Sequence, residues 1–150
     1  MTNQNRRHIQ PPINKTNPSA NGRKFIAFPT NALHYIHHPA MSAEKLFLYT
    51  LLIDFYNVDK GAAYPSQERL ALMYGKTTKT VRDHLKDLES AGLLEIVGRG
   101  KYRPSEPLKE DAFYSKYPDA AKAYREKYAE SEERRKTDRA RLDAYRRTGN

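Results

Sequence analysis

Read as a string of apolar and polar positions, the chain falls into stretches of clearly different periodicity. In residues 1–22 the only large apolar side chains after Met1 are Ile9 and Ile13, set among Asn, Gln, Pro, Ser and Thr with Arg6, Arg7 and Lys15. Such a composition cannot offset its own ordering entropy, so a disordered basic arm is expected there. From Phe25 the pattern turns apolar, with Ile26, Phe28, Leu33, Tyr35 and Ile36 grouped around Pro29. This predicts a short extended piece and one or two helical turns, closed by Pro39. Leu46, Tyr49, Leu52, Ile53 and Tyr56 then recur at three and four, and Phe47, Leu48, Leu51 and Phe55 fill much of the remaining circumference. A helix from Ala43 to about Asn57, N-capped by Ser42 and this apolar all round, is expected to be the buried centre of a domain.

After a turn at Asp59, Lys60 and Gly61, Ala62 to Tyr64 can supply one short strand. Pro65 and Ser66 start a helix carrying Leu70, Ala71, Met73 and Tyr74, which Gly75 ends. Thr77 or Thr78 can cap the next helix, which runs to Ala91 and is closed by Gly92. Leu93, Leu94, Ile96 and Val97 read as a strand, Gly98 to Gly100 as a tight turn, and Lys101 to Ser105 as a return strand. Pro104 and Pro107 are expected to keep that return short or to put it at the sheet edge. Farther on, Phe113, Tyr117, Ala121, Tyr124 and Tyr128 form one stripe of a helix spanning residues 111–147. Its outer half offers Glu130/Arg134, Glu132/Lys136 and Arg139/Asp143 as pairs four apart. Leu142 and Tyr145 alone do not make a heptad seam, so a strong coiled coil is not indicated.

Composition narrows the class. A length of 150 residues suits one domain with appendages: an arm at 1–22, a domain at 23–108 and a charged C-terminal helix at 109–150. Lysine and arginine outnumber aspartate and glutamate by 27 to 18, a net charge of +9 that favours a polyanionic partner. With no cysteine, disulfide scaffolds, thiolate metal sites and cysteine nucleophiles are excluded together. The polar start, Met1 to Gln10, lacks the apolar core of a signal peptide, and the run Leu46 to Ile53 falls short of the ~20 residues of a membrane span. A soluble, cytoplasmic protein that does not meet the membrane is expected.

On a helical wheel Val81, Leu85 and Leu88 share one side, whereas Lys79, Asp83, Lys86 and Ser90 lie opposite, with Arg82 and Thr80 on the flanks. A cationic helix set on a tight corner after another helix suits the major groove of DNA, ~12 Å wide. Lys76, Thr77, Thr78, Lys79, Thr80, Arg82 and Lys86 are therefore candidate DNA contacts. Lysine and arginine can donate to guanine, and threonine can touch a thymine methyl or a phosphate. Asp83 could accept from cytosine, although pairing along the helix with Lys79 or Lys86 is preferred. Arg99, Lys101, Tyr102 and Arg103 crowd the following hairpin, where they are expected to bind phosphate or to reach the minor groove.

The segments "MSAEKLFLYTLLIDF", "YPSQERLALMYGKTTKTVRDHLKDLESAGLLEI" and "GKYRPSEPL", preceded by "RKFIAFPTNAL", resemble the winged helix-turn-helix domains of bacterial plasmid and phage replication proteins of the replication-initiator and DnaD-like type. They are also similar to related transcriptional regulators. The resemblance covers residues 23–108 and implies a mainly α (α+β) fold, a winged helix-turn-helix with a small β-hairpin wing and a C-terminal helical extension. It makes Thr78–Ala91 the recognition helix and Gly98–Arg103 the wing, which here is brief and flanked by proline.

Other chemistry has little support. His34 and His38 are spaced to share a helical face, but Pro39 adjoins them and no acidic residue stands nearby in the chain, so solvent-facing or phosphate-contacting histidines are expected rather than a metal site. No serine sits in a nucleophile elbow and no carboxylate pair occurs in an apolar setting, so neither an enzyme nor a cofactor is expected. The expected function is sequence-specific binding of double-stranded DNA by a nucleoid-associated regulator of transcription or a replication factor of a bacterium, its plasmid or its phage. Homodimerisation, and a replication or transcription protein docked on residues 111–147, are the further partners considered. The alternative is a protein-interaction module docking a partner through the tyrosine-rich C-terminal helix.

Overall fold

The apolar run after Ser42 forms α1, Ala43–Phe55, in a computed structural model that describes residues 10–149. Ser42 is extended, and its Oγ accepts a hydrogen bond from the Lys45 amide at 3.3 Å, satisfying one free N–H of the first turn. Leu46, Leu48, Tyr49, Leu51 and Leu52 are buried, so α1 is the central element, as its all-round apolarity demands. It ends earlier than its periodicity suggests. Tyr56 turns extended, and Tyr56–Asn57 become β1, paired antiparallel with β2, Ala62–Ala63. Between them Asn57 Oδ1 accepts from the amides of Asp59 and Lys60, at 3.0 and 3.1 Å, and so folds the turn.

α2 is Gln67–Tyr74 and α3 is Thr78–Ser90. At the corner between them Gly75 adopts φ 70°, and the amides of Gly75 and Lys76 both return to the Ala71 carbonyl. Of the two threonines considered, Thr77 is the cap: its Oγ1 accepts from the Thr80 amide at 3.2 Å. An added Cβ at Gly75 would meet nothing within 4 Å, so only the left-handed backbone opposes alanine. Gly75→Ala is expected to cost about 1–2 kcal/mol in chemical denaturation. The far end of α3 is closed by Gly92 at φ 78°, with the Leu93 amide reaching back to the Leu88 carbonyl.

β3, Leu94–Gly98, and β4, Lys101–Pro104, form the hairpin that follows α3. The antiparallel sheet runs β1-β2-β4-β3, with Ala63 opposite Tyr102, and Tyr102 opposite Ile96. The return strand is short but not at the edge. It lies between β2 and β3, and Pro104 is accommodated because it takes the last rung, opposite Leu94. A bulge between Ile96 and Gly98 leaves Val97 as the extra residue of β3.

Leu70 and Tyr74 of α2, and Val81, Leu85 and Leu88 of α3, join the buried face of α1 together with Leu93, Leu94 and Tyr102. Burial of each such aliphatic side chain stabilises the fold by about 1.5–3 kcal/mol relative to exposure. The piece around Pro29 forms a 3-10 helix, Thr30–His37, that buries Ala32 and Tyr35. Of the expected basic arm, Arg6 and Arg7 lie outside the described residues. Residues 10–22 are irregular and largely exposed up to a 3-10 turn at Ala20–Gly22.

The single helix expected over 111–147 is two helices. α4, Glu110–Lys116, and α5, Pro118–Thr148, meet at Tyr117, whose φ −120° and ψ 82° are not helical. Pro118, lacking an N–H, opens the second helix at a position where none is needed. Phe113 is fully buried against the Tyr35 ring, with centroids 4.3 Å apart, and Ala120 is buried as well. Beyond Tyr124, α5 stands almost wholly exposed. The ion pairs expected four apart do not form among the described residues, and Arg135–Glu132 and Lys136–Glu133, three apart, form instead at 3.3 and 3.8 Å. No helix among the described residues is long and apolar enough to cross a membrane. The architecture is a mainly α winged helix-turn-helix with a small antiparallel sheet and a C-terminal helical extension.

Candidate nucleic-acid interface

α3 turns its Val81, Leu85 and Leu88 stripe inward, which leaves Lys79, Arg82, Asp83 and Lys86 exposed. The hairpin beside it ends in the turn Arg99–Gly100, with both residues exposed. Arg82 and Lys86 from α3 and Arg99 from this turn border one open groove, floored by Ile96 and Tyr102. Two consecutive elements thus bring three cations to one cleft. Gln67, in the first turn of α2, also lines it, and Glu68 reaches its rim. Nothing in the one-dimensional pattern marks Gln67 as part of this site, because its place depends on how α2 crosses α3.

Lys79, Arg82, Lys86, Arg99 and Lys101 form no ion pair among the described residues. Asp83 pairs with neither Lys79 nor Lys86 there, which corrects the preferred reading of that residue; the carboxylate of α3 that is paired is Asp87, 3.0 Å from Lys45. Lys101 Nζ lies 5.8 Å from the Tyr64 ring centroid and remains exposed.

Most of the remaining candidates are used within the fold. Lys76 Nζ stands 2.9 Å from Glu44 Oε1, and this hydrogen bond holds the Glu44 carboxyl below its ordinary range. Arg103 donates to Glu95 at 2.9 Å and to the Gly61 carbonyl at 3.1 Å, which ties the base of the hairpin to the β1–β2 turn. Thr77 is the cap of α3, and its hydroxyl also donates to Thr80 Oγ1 at 3.1 Å. Thr78 and Thr80 are half-buried. Tyr102 is 3% exposed, a core residue rather than a surface contact, because strand alternation turns it inward between the outward Lys101 and Arg103.

The histidines also differ from expectation. His38 is buried: its Nδ1 accepts from the Ala40 amide at 3.0 Å, its ring meets Tyr117 edge-on at 4.5 Å, and burial lowers its pKa. His37 packs edge-on against Tyr124 at 5.2 Å, and burial lowers its pKa too. His34 Nε2 lies 3.7 Å from Glu110, an acid supplied from far along the chain. On α3, His84 Nδ1 is 2.9 Å from the Tyr74 hydroxyl, whose pKa burial pushes up to about 12. These rings brace the helices against one another.

The first half of the tyrosine stripe is likewise occupied by the chain itself. Tyr117 donates to the Ala91 carbonyl at 3.1 Å, and its hydroxyl lies 3.3 Å from where a Cβ at Gly92 would stand. Tyr114 and Tyr124 pack against each other at 5.5 Å and against His34 and His37.

Comparison with known families places the same segment. Residues 41–94, from just before α1 to the start of β3, match the family model described as a helix-turn-helix domain. No curated protein and no solved structure matches the chain.

Proposed function

We propose that the chain binds double-stranded DNA in a sequence-dependent manner, with the exposed face of α3 in the major groove and the hairpin turn on the flanking backbone. The helix-turn-helix match over residues 41–94 points to DNA as the partner. The observation that carries the finer reading is the shared groove, where Arg82, Lys86 and Arg99 converge with no ion-pair partner among the described residues. Five unpaired cations near a polyanion release counterions and give affinity, whereas base-edge bonds from Lys79, Arg82 and Lys86 give preference among sequences. Thr78, at the N-terminal end of α3, is placed for a phosphate or a thymine methyl. A regulator of transcription or a replication-associated factor of a bacterium, plasmid or phage is the role in keeping with this reading.

Selection of bound fragments from a genomic pool, followed by footprinting, tests the proposal. Recovery of one shared motif, with affinity falling steeply as salt rises, is the expected result; no enrichment, or affinity indifferent to salt, overturns it. The turn cations are expected to behave differently from those of α3. Arg99→Ala or Lys101→Ala should weaken target and random duplexes alike and lower the salt slope by about 1 each, measured by fluorescence anisotropy across a salt series.

A further inference from the structure

We infer that the free part of α5 pairs with the same segment of a second copy of the chain, antiparallel, about an axis between residues 136 and 137. This inference does not depend on the DNA reading, since it concerns a different face of the molecule.

Past Tyr124, where contact with the His37 ring ends, α5 runs on to Thr148 as about 36 Å of exposed rod. A helix so polar over this length has little within its own chain to hold it. Along it Tyr128, Ser131, Arg135, Asp138, Leu142 and Tyr145 fall three and four apart, so they share one seam. The apolar members lie at the two ends, with Tyr128 57%, Leu142 48% and Tyr145 71% exposed. The polar members lie in the middle.

Charge decides the direction of pairing. In a parallel pair every seam residue faces its own copy, which sets Arg135 against Arg135 and Asp138 against Asp138. In an antiparallel pair centred between 136 and 137, Arg135 faces Asp138 of the second copy twice over. The same register sets Tyr128 against Tyr145 and Ser131 against Leu142, closing both ends with apolar contact. Beside the seam, Glu132 faces Arg139 of the other copy; farther out on that flank Arg125 meets Arg146, and on the opposite flank Arg134 meets Arg141, all with side chains long enough to turn into water. Asp138 has no ion-pair partner among the described residues, and Arg135 now holds only Glu132 of its own helix, at 3.3 Å.

Length agrees with charge. In this register the last helical residue, Thr148, lies level with Arg125 of the second copy, one residue past the domain's last aromatic contact with α5 at Tyr124. The second helix therefore fills the exposed stretch and stops where the domain begins. The starts of the two α5 helices then stand about 55 Å apart, with one domain at each end of the pair.

Sedimentation equilibrium of the full chain should show a dimer. Asp138→Arg, which sets arginine against Arg135 at both central positions, should yield monomer, and the swapped chain carrying R135D and D138R should return to dimer. Because the protein has no cysteine, S131C and L142C variants report direction: mixed, they should cross-link to each other under oxidation, and neither should cross-link to itself. Monomer at every concentration, a dimer indifferent to Asp138→Arg, or self-cross-linking of S131C would each overturn the inference. DNA affinity measured on the same variants reads out separately, so failure of one proposal is distinguishable from failure of the other.

Discussion

A chain carrying Lys79→Ala together with Arg82→Ala is expected to lose most of its preference for a selected target duplex while remaining folded. Both side chains are exposed and form no ion pair among the described residues, so their removal breaks no salt bridge there. Each loss is about 1–3 kcal/mol where the side chain bonds a base edge, roughly five- to 150-fold in affinity. Random duplex should suffer only the smaller, salt-dependent part. Parallel titrations of target and random duplexes, with melting temperatures as a check on folding, separate the two effects. Equal losses on both duplexes would remove α3 from the groove.

Leu88→Ala is expected to be the more damaging change to the fold itself. Leu88 is fully buried in the last turn of α3, a helix that packs against α1, α2 and β3 together. Removing most of its side chain leaves a hole that three packed elements cannot all move to fill. A loss of about 2–5 kcal/mol follows. Since whole domains are stable by only ~5–15 kcal/mol, the urea midpoint should fall sharply. Lys86→Ala, two residues away on the exposed side, should change the stability by no more than about 0.5 kcal/mol.

The contrast between these neighbours is legible in the sequence itself, because a 3.6-residue period assigns Leu88 to one side and Lys86 to the other. The same holds for the ends of the helices, where Ser42, Gly75 and Gly92 act through bonds to residues three to five away. What escaped the linear reading depends on contacts across the chain. Lys76 is engaged by Glu44, and His34 faces Glu110, partners that no spacing rule brings together. Glu95 and Arg103 are opposed only through the strand register. Two misses are of another kind, since their signals were present: Pro118 announces the break after α4, and the Lys-Tyr-Arg alternation turns Tyr102 inward. In both cases charge or periodicity over a longer window outweighed a local steric rule.

The bulge at Val97 has a consequence for solution behaviour. β3 is the outermost strand on the hairpin side, and an outermost strand can recruit a further strand from a stranger through its free amides and carbonyls. The extra residue breaks the even spacing of those groups after three rungs, and the Ile96 amide is already given to the Glu89 carboxylate at 3.3 Å. An incoming peptide would find neither a straight edge nor a full row of free donors. The molecule can thus keep a bare hairpin beside its basic groove without that hairpin becoming a seed for aggregation.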